Sequence, residues 1–476
     1  MSTLIRPRLG ASVVPDLTSN TGGIVTPNPF WLASAPPANS GPQIMRAFDA
    51  GWGGAVWKTL GDPVTNVTSR FWANDYGNMR MMGLNNIELI TDRPLEVNLK
   101  EMYEVKKRYP KHTLIASLMV ETLENWKEII KRAEDTGCDG LELNFGCPHG
   151  MCERGMGSAV GQEPKVLEEI TRWAMEYAKT PVIIKLTPNT GDINEPGEAA
   201  ARGGAPAISL INTVKSLLGV NLDTFVPNPR VGNQSTNGGY CGPAVKPIAL
   251  FMMSQLAKNP QTRHMAISGI GGISNWRDAA EFISLGATSV QVCTAVMHYG
   301  YRIVEDMIEG LSDFLDSKGM KSVNELRGKA IGAYSEWGDL DLNYNLKARI
   351  NPDSCIGCNL CHVACMDGAH QCILIPGRTH EEHVKAGHTH IPENIPMVPV
   401  KAAGAVGRHL PVIDDVECVG CNLCHLVCPV PGTIEMVEVP GTIGKSETWN
   451  DRVAQGRDIN PGSMESTLKK RGLTAK

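Results

Sequence analysis

The segment MAISGIGGISNWRDAAEFISLGATSVQVCTAV, residues 265–296, contains a complete unit of strand, helix and strand. Apolar runs at 265–272 and 289–296 flank a helical pattern at 275–286. Parallel strands that are joined through a helix are buried on both faces, so they appear as nearly continuous apolar runs. The segment therefore predicts an α/β fold that is built on a parallel sheet.

The same alternation of strand and helix extends over the first 310 residues. Helical patterns lie at 124–137, 164–179 and 301–315. Six further candidate strands lie at 31–35, 54–60, 113–120, 140–147, 182–188 and 207–214. Eight such units in about 250–300 residues fit a closed (β/α)8 TIM barrel. A doubly wound open sheet is the competing fold, which the periodicity alone does not exclude.

Composition and charge narrow the protein class. The chain has 476 residues, of which 42% are hydrophobic and 20% charged, so we expect a globular protein of two or three domains. Its formal net charge of −5 gives no electrostatic reason to expect nucleic acid as a partner. There is no apolar run of about 18 residues and no secretory leader pattern. We therefore expect a cytoplasmic protein without a membrane span.

The cysteines predict two iron–sulfur clusters. Nine of the fourteen cysteines lie between residues 355 and 428, within the segments CIGCNLCHVAC (355–365) and CVGCNLCHLVC (418–428) and at Cys372. Both segments have the C-x2-C-x2-C-x3-C spacing of a two-cluster ferredoxin, in which the fourth cysteine of each run ligates the other cluster. The first [4Fe–4S] cluster is therefore assigned to Cys355, Cys358, Cys361 and Cys428. The second is assigned to Cys418, Cys421, Cys424 and Cys365. Zinc, the alternative, favours paired C-x2-C motifs instead.

The cysteine-rich region also sets the domain boundaries. We predict a barrel over 1–310, a helical linker over 311–350, a ferredoxin-like α+β domain over 351–437 and a polar tail over 438–476. An insertion at 376–410 carries HEEHVKAGHTH, with His380, His383, His388 and His390. It is expected to be a solvated loop, with a metal site as the alternative. Cys372 belongs to neither cysteine run and is expected to be a buried thiol.

Polar residues cluster at the predicted strand ends. Barrel enzymes bind their ligands at the carboxyl ends of the strands, so these residues predict a ligand site. They are Ser34, Lys58, Thr59, Asn144, Cys147, Lys185, Asn212, Thr213, Gly271, Gly272, Cys293 and Thr294. Loops after the seventh and eighth strands often bind phosphate through backbone N–H groups, although a tight turn would need the same glycines. A phosphate-bearing cofactor beside two iron–sulfur clusters predicts FMN.

The segment NFGCPHGMCERGMGSAVGQ, residues 144–162, joins a thiol to a glycine-rich loop. The glycine density predicts a mobile flap. Cys147 on this flap could act as a general acid opposite a flavin if its pKa is suitable. A structural buried cysteine is the alternative, and it is the interpretation that we give to Cys152.

Three asparagines, one glutamate and one threonine, which we call the amide set, predict a substrate with alternating N–H donors and C=O acceptors. Buried polar groups need partners, so amide-rich pockets select amide-like heterocycles. The set comprises Asn86, Glu88, Asn144, Asn212 and Thr213. Glu88 is expected to repel a substrate that carries a carboxylate.

Several motifs together resemble the dihydropyrimidine dehydrogenase family, and more narrowly its bacterial FMN and iron–sulfur subunits. The most specific is CPHGMCERGMG, and the others include NNIELI, KLTPN, INTV, GGYCGPAVKPIAL, SGIGGI and QVCTAV. The resemblance covers about residues 28–435. It implies an FMN-binding (β/α)8 barrel with a two-cluster domain. It also implies reversible, NAD(P)H-dependent reduction of uracil or thymine to the 5,6-dihydropyrimidine.

The resemblance also implies residue roles. Cys147 matches the family's catalytic acid, and the five members of the amide set match its pyrimidine contacts. The FMN contacts match Ser34, Lys58, Thr59, Lys185, Gly242, Gly271, Gly272, Ile273, Cys293 and Thr294. Gly146 departs from the pattern, because family members such as the animal enzyme have a serine there that touches substrate.

A nicotinamide site is not predicted on this chain. No GxGxxG motif follows a strand and opens a helix, so SGIGGIS is interpreted as the barrel phosphate loop. The resemblance therefore implies a partner flavoprotein subunit that carries FAD and binds NAD(H), in a hetero-oligomer such as a heterotetramer.

Three other functions stay open on the sequence. A dihydroorotate dehydrogenase-like enzyme is suggested by MGLNN at 82–86, and the fused clusters and Glu88 weigh against it. Gly146 leaves room for another cyclic-amide ring reductase. A barrel that has lost activity and serves as an electron-transfer scaffold is the alternative from another class.

Overall fold

The computed structural model describes residues 14–62, 64–148, 155–388, 390–402, 405, 407–439 and 446–457. The chain forms two compact units that divide between Tyr334 and Ser335. The predicted boundary at residue 310 falls inside the helix Ile303–Ser317, which belongs to the first unit. Across the described ranges, every helix is too short or too polar to cross a bilayer.

Eight parallel strands close into a barrel in the first unit. In chain order β1 to β8 are Phe30–Leu32, Gly54–Leu60, Thr113–Leu118, Gly140–Asn144, Val182–Lys185, Ala207–Leu210, Ala266–Ile270 and Ser289–Val292. Strand β8 pairs with β1 through Val290 and Phe30, which closes the sheet and leaves no edge. The predicted barrel is therefore confirmed, and the open sheet is excluded.

A helix follows each barrel strand. In chain order α1 to α8 are Gly41–Ala50, Leu95–Arg108, Leu123–Glu134, Pro164–Tyr177, Asn194–Arg202, Lys246–Lys258, Trp276–Ser284 and Ile303–Ser317. Helix α3 shows why these segments are helical, because it buries Trp126, Ile129, Ile130 and Ala133 on one face. The side chain of Thr122 accepts the N–H of Asn125 and caps the first turn.

A four-stranded antiparallel sheet, which the sequence did not predict, lies in the long connections that follow β2 and β6. Its strands are Phe71–Tyr76, Met79–Asn86, Gly238–Cys241 and Val214–Ser216. Gly83 permits the close approach of two strands, because a Cβ there would lie 1.8 Å from the Tyr240 hydroxyl oxygen. The sheet positions Asn86 and Tyr240 on the wall of the cavity that is described below.

Shorter elements complete the first unit. Two-residue and three-residue strands pair as Ser19–Thr21 with Ile24–Thr26, Val220–Asn221 with Val226–Pro227, and Arg230–Val231 with Gln234–Ser235. The short helices are Pro36–Ala38, Ser158–Gly161, Pro243–Val245, Thr294–Tyr299, Val323–Glu325 and Ile331–Ala333.

The second unit repeats one local structure around its two cysteine runs. Helices Leu360–Gly368 and Leu423–Val427 each begin after an asparagine in the left-handed region, with φ of 60° at Asn359 and 69° at Asn422. The other elements are the strand pairs Leu346–Ile350 with Ile434–Glu438 and Ile373–Leu374 with Val412–Ile413, and the helices Trp337–Asp339, His380–Lys385 and Trp449–Ala454. The repeat in sequence is thus a repeat in structure.

The histidine-rich insertion differs from the prediction. The side chains of His383 and His388 are buried, and their rings lie 5.1 Å apart between centroids. The helix His380–Lys385 begins with a capping box in which Thr379 and Glu382 bond each other's backbone. The predicted solvated loop is therefore wrong for these two histidines, because His383 lies on the buried side of the capped helix and Nδ1 of His388 lies 2.6 Å from the carbonyl oxygen of Gln371.

Candidate functional site

A cavity that is partly open to solvent lies at the carboxyl ends of the barrel strands. Residues at or just after the ends of β1, β2, β4, β5, β6, β7 and β8 line it, which is where barrel enzymes bind their ligands. All the predicted barrel residues line it: Cys147 as the acid; Asn86, Glu88, Asn144, Asn212 and Thr213 as substrate contacts; Ser34, Lys58, Thr59, Lys185, Gly242, Gly271, Gly272, Ile273, Cys293 and Thr294 as cofactor contacts. The fold therefore brings together residues from all parts of the barrel sequence.

Three glycines at one end of the cavity have backbone angles that favour glycine. Gly242, Gly271 and Gly272 have φ of 94°, 128° and 73°. A Cβ at Gly272 would also lie 2.8 Å from the Cβ of Lys246. Bare backbone after β7, at Gly271 and Gly272, and after the strand Gly238–Cys241, at Gly242, is suited to a phosphate group. This end of the cavity therefore fits the phosphate of a flavin nucleotide.

Lys58, near the end of β2, is paired with a carboxylate. Its ammonium group contacts Glu88, which also binds Arg70 at 2.8 Å. Arg70 in turn binds Asp92 at 2.8 Å. The negative charge of Glu88 is therefore balanced by two cations, Lys58 and Arg70. The expected repulsion between Glu88 and a substrate that carries a carboxylate has no support in this geometry.

Lys185, at the end of β5, is held by a buried carboxylate that the sequence analysis missed. Its Nζ lies 3.2 Å from Oε1 of Glu142, which is fully buried on β4. The other oxygen of Glu142 accepts hydrogen bonds from Ser209 and Gln291, both at 2.9 Å. The only sequence signal was an acidic residue within the apolar strand GLELN. Glu142 thus fixes the position of Lys185.

Replacement of Glu142 by glutamine is expected to destabilise the first unit by about 3–5 kcal/mol, because it leaves the Lys185 charge buried without a counter-ion. The free energy of unfolding from urea titration measures the loss. The double variant Glu142→Gln/Lys185→Met, which removes both charges, should recover most of it. If the single and double variants are equally stable, the pair does not hold the lysine.

A chain of amide and hydroxyl groups forms the floor of the cavity. Nδ2 of Asn144 donates to Oγ1 of Thr59 at 3.0 Å, and Nδ2 of Asn212 donates to Oδ1 of Asn144 at 3.0 Å. Oδ1 of Asn212 accepts the backbone N–H of Thr213 at 2.8 Å. Thr59 is also hydrogen-bonded to Ser34 and Ser117. The two carboxamides are therefore held in one orientation before a ligand binds.

Gly146 is required by the conformation of Asn212. A Cβ at residue 146 would lie 2.4 Å from Cβ and 2.5 Å from Nδ2 of Asn212. Contacts this short force a neighbour to move, and Asn212 Cβ is not a flexible end. A serine at this position is therefore incompatible with the observed amide chain.

Cys147 lines the same cavity and is 8% exposed. It packs with Ile90, Met119 and Met156, and its carbonyl oxygen accepts the N–H of Ser158 at 3.0 Å. Residues 149–154 of the predicted flap, including Cys152, lie outside the described residues. Cys147 thus lines the cavity in an apolar setting.

Two other cysteines at the cavity wall are poor nucleophiles. Burial raises the pKa of Cys241 to about 11 and that of Cys293 to about 12. Cys241 also accepts a hydrogen bond from the Thr294 hydroxyl at 3.3 Å. Both residues therefore remain neutral thiols near pH 7 and serve as packing and lining groups.

The second unit contains two cysteine-lined pockets. One, of about 340 Å³, has the first predicted ligand set: Cys355, Cys358, Cys361 and Cys428. The other, of about 350 Å³, has the second predicted set: Cys365, Cys418, Cys421 and Cys424. The fourth cysteine of each run thus lies in the pocket of the other run. A hydrogen bond from Cys372 lowers the pKa of Cys365, which favours the thiolate that binds iron.

Comparison with known proteins agrees with both units. The dihydroorotate dehydrogenase family matches residues 16–315, and a 4Fe–4S dicluster domain matches residues 354–432. The NAD-dependent dihydropyrimidine dehydrogenase subunit PreA of Escherichia coli K12 is 42% identical over 369 residues, which are 77% of this chain and 90% of that protein. The chain belongs to the dihydropyrimidine dehydrogenase family. The chloroplastic dihydropyrimidine dehydrogenase (NADP(+)) of Arabidopsis thaliana is 43% identical over 68% of this chain and 79% of its own length.

The chain is also similar to a catalytic subunit of a dihydroorotate dehydrogenase. The catalytic subunit of dihydroorotate dehydrogenase B (NAD(+)) from Pyrococcus horikoshii is 35% identical over 65% of this chain and 96% of its own length. The family resemblance is thus confirmed: the chain is an oxidoreductase with a flavin-type barrel and an iron–sulfur domain.

Proposed function

We propose that the chain is the catalytic subunit of a dihydropyrimidine dehydrogenase that reduces uracil or thymine reversibly to the 5,6-dihydropyrimidine with electrons from NAD(P)H. The observation that supports the proposal is that a single cavity is lined by three groups. These are Cys147, the two pre-oriented carboxamides of Asn144 and Asn212, and the glycines whose backbone suits a phosphate group. The cofactors proposed for the chain are FMN in the barrel and two [4Fe–4S] clusters in the second unit.

FMN would be held at the carboxyl ends of the strands. The backbone at Gly271 and Gly272 would bind its phosphate, and Lys185 and Thr59 would face the ring system along the cavity wall. When bound, FMN supplies the hydride for C6 of the pyrimidine and accepts electrons one at a time. Lys58 adds little net positive charge beside the flavin, because its ammonium group is paired with Glu88.

The substrate is oriented by groups of the chain itself. Asn144 and Asn212 are fixed by hydrogen bonds to each other, and each keeps capacity for a donor or acceptor toward a planar cyclic amide. The thiol of Cys147 holds the proton that moves to C5 of the ring. Apolar neighbours of Cys147 keep bulk water from that thiol.

We infer that electrons reach this chain through a partner subunit that binds FAD and NAD(H). Support comes from the absence of a dinucleotide-binding motif in the sequence and from the word subunit in the name of the Escherichia coli relative. The clusters would connect that partner to the barrel.

The function is tested by comparing uracil, thymine, orotate and hydantoin in one anaerobic assay with chemically reduced enzyme. Uracil and thymine are expected to be reduced. Orotate as the preferred substrate would favour the dihydroorotate dehydrogenase alternative, and hydantoin would favour another cyclic-amide reductase. A chain that binds no flavin would favour the electron-transfer scaffold.

Replacement of Gly146 by alanine is expected to lower kcat/KM for uracil about 10- to 100-fold, because the new Cβ displaces Asn212 and costs a buried hydrogen bond. Steady-state kinetics measure the change. Gly191→Ala is the matched control, since a Cβ there meets nothing within 4 Å. Unchanged kinetics for Gly146→Ala would contradict the role of Asn212 in binding.

A further inference from the structure

A fifth cysteine lies in the pocket of the second cluster. Cys372 lines that pocket together with Cys365, Cys418, Cys421 and Cys424. It is 5% exposed, and its Sγ is 3.6 Å from Sγ of Cys365. The residue that belongs to neither cysteine run is therefore in contact with one predicted cluster ligand, Cys365, and shares the pocket with the other three.

Cys372 is not needed as a ligand. A cubane takes one sulfur for each of its four irons, and the two cysteine runs already supply four sulfurs to each pocket. A fifth thiol therefore keeps its proton. An S–H group is a weak hydrogen-bond donor, and Sγ of Cys365 lies within its reach as an acceptor.

The first pocket has no fifth cysteine among the lining residues that the structure describes. The cysteines that line that pocket are its four predicted ligands. One of them, Cys355, accepts the backbone N–H of Gly357 at 3.4 Å. In the second pocket the backbone N–H of Cys372 reaches Cys365 at 3.3 Å, and the thiol of the same residue adds a side-chain donor. The two cluster sites therefore differ in the hydrogen bonds to their sulfurs.

We propose that Cys372 is a positioning residue whose S–H group donates to a ligand sulfur of the second cluster and makes that cluster easier to reduce than it would be without the thiol. A reduced cluster carries one more negative charge, which is shared by its sulfurs, and a donor stabilises that state. The inference rests on the proposed function, because it requires that both clusters are bound. It deepens that function by making the two clusters inequivalent electron carriers.

The test is a redox titration of the full-length chain, purified anaerobically and followed by the electron paramagnetic resonance signals of both clusters. Cys372→Ala should shift the midpoint potential of one cluster to more negative values and leave the other unchanged. Cys372→Ser keeps a donor, so its midpoint should stay closer to that of the unsubstituted chain. Cys138→Ser, a buried thiol of the barrel unit, is the control and should shift neither.

The cluster that responds is identified in a background that contains Cys361→Ser, which removes a ligand of the first cluster. The shift caused by Cys372→Ala should persist there. Unchanged midpoints would overturn the proposal, and so would a shift in the first cluster. Loss of four irons in Cys372→Ala would show that Cys372 is a ligand, which also overturns it. Failure of the proposed function is distinguishable, because the unsubstituted chain would then lack the clusters.

Discussion

Replacement of Cys147 by alanine is expected to lower uracil turnover by about 10²–10⁴-fold, the usual contribution of a positioned general acid. The thiol lines the cavity and packs beside Ile90 and Met119. Reduction of the flavin by the partner subunit should remain intact, because that half-reaction does not use the proton. Stopped-flow absorbance separates the two half-reactions.

The control for this variant is Cys138→Ala, which removes another buried thiol outside the cavity. Burial raises the pKa of Cys138 to about 12, so it is inert near neutral pH. It should turn over uracil at nearly the normal rate. Normal turnover by Cys147→Ala would remove Cys147 from the acid role, whereas slow flavin reduction in the same variant would indicate a structural defect instead.

Serine substitutions of cluster ligands are expected to abolish NAD(P)H-driven turnover. Their effects on the two cluster signals should follow the two shared pockets and not the two cysteine runs. Cys361→Ser and Cys428→Ser should change the signal of one cluster, because these residues line the same pocket. Cys365→Ser and Cys424→Ser should change the signal of the other cluster. Reduction of uracil by chemically reduced flavin should survive in all four variants, since the barrel holds that chemistry.

The pairing is measured by electron paramagnetic resonance together with iron and sulfide counts. Cys138→Ser again supplies the control, with both signals retained. If Cys365→Ser instead changes the signal that Cys361→Ser changes, the crossed assignment is wrong and each run binds its own cluster.

Local sequence pattern was sufficient for the barrel strands and for the cysteine sets, whereas closure of the sheet depends on the pairing of β8 with β1. Each barrel strand is buried, as in GAVWKTL at β2 with all seven residues buried, so an apolar run marks it directly. The cysteine spacing is equally local, because a cubane needs sulfurs at short, fixed intervals. The antiparallel sheet over the cavity escaped prediction because its strands come from two distant loops, with Asn86 paired to Gly239.

The amino-acid sequence by itself determined the alternation of buried strands and helices, the two cysteine runs and the set of polar residues at the strand ends, because burial and ligand spacing act over a few residues. Only the tertiary structure decided that the sheet closes through β8 and β1, which groups pair with Lys58 and Lys185, why residue 146 is glycine beside Asn212, and that Cys372 contacts Cys365. Charge pairing and close packing depend on distances in space, and a strand or loop far along the chain sets those distances.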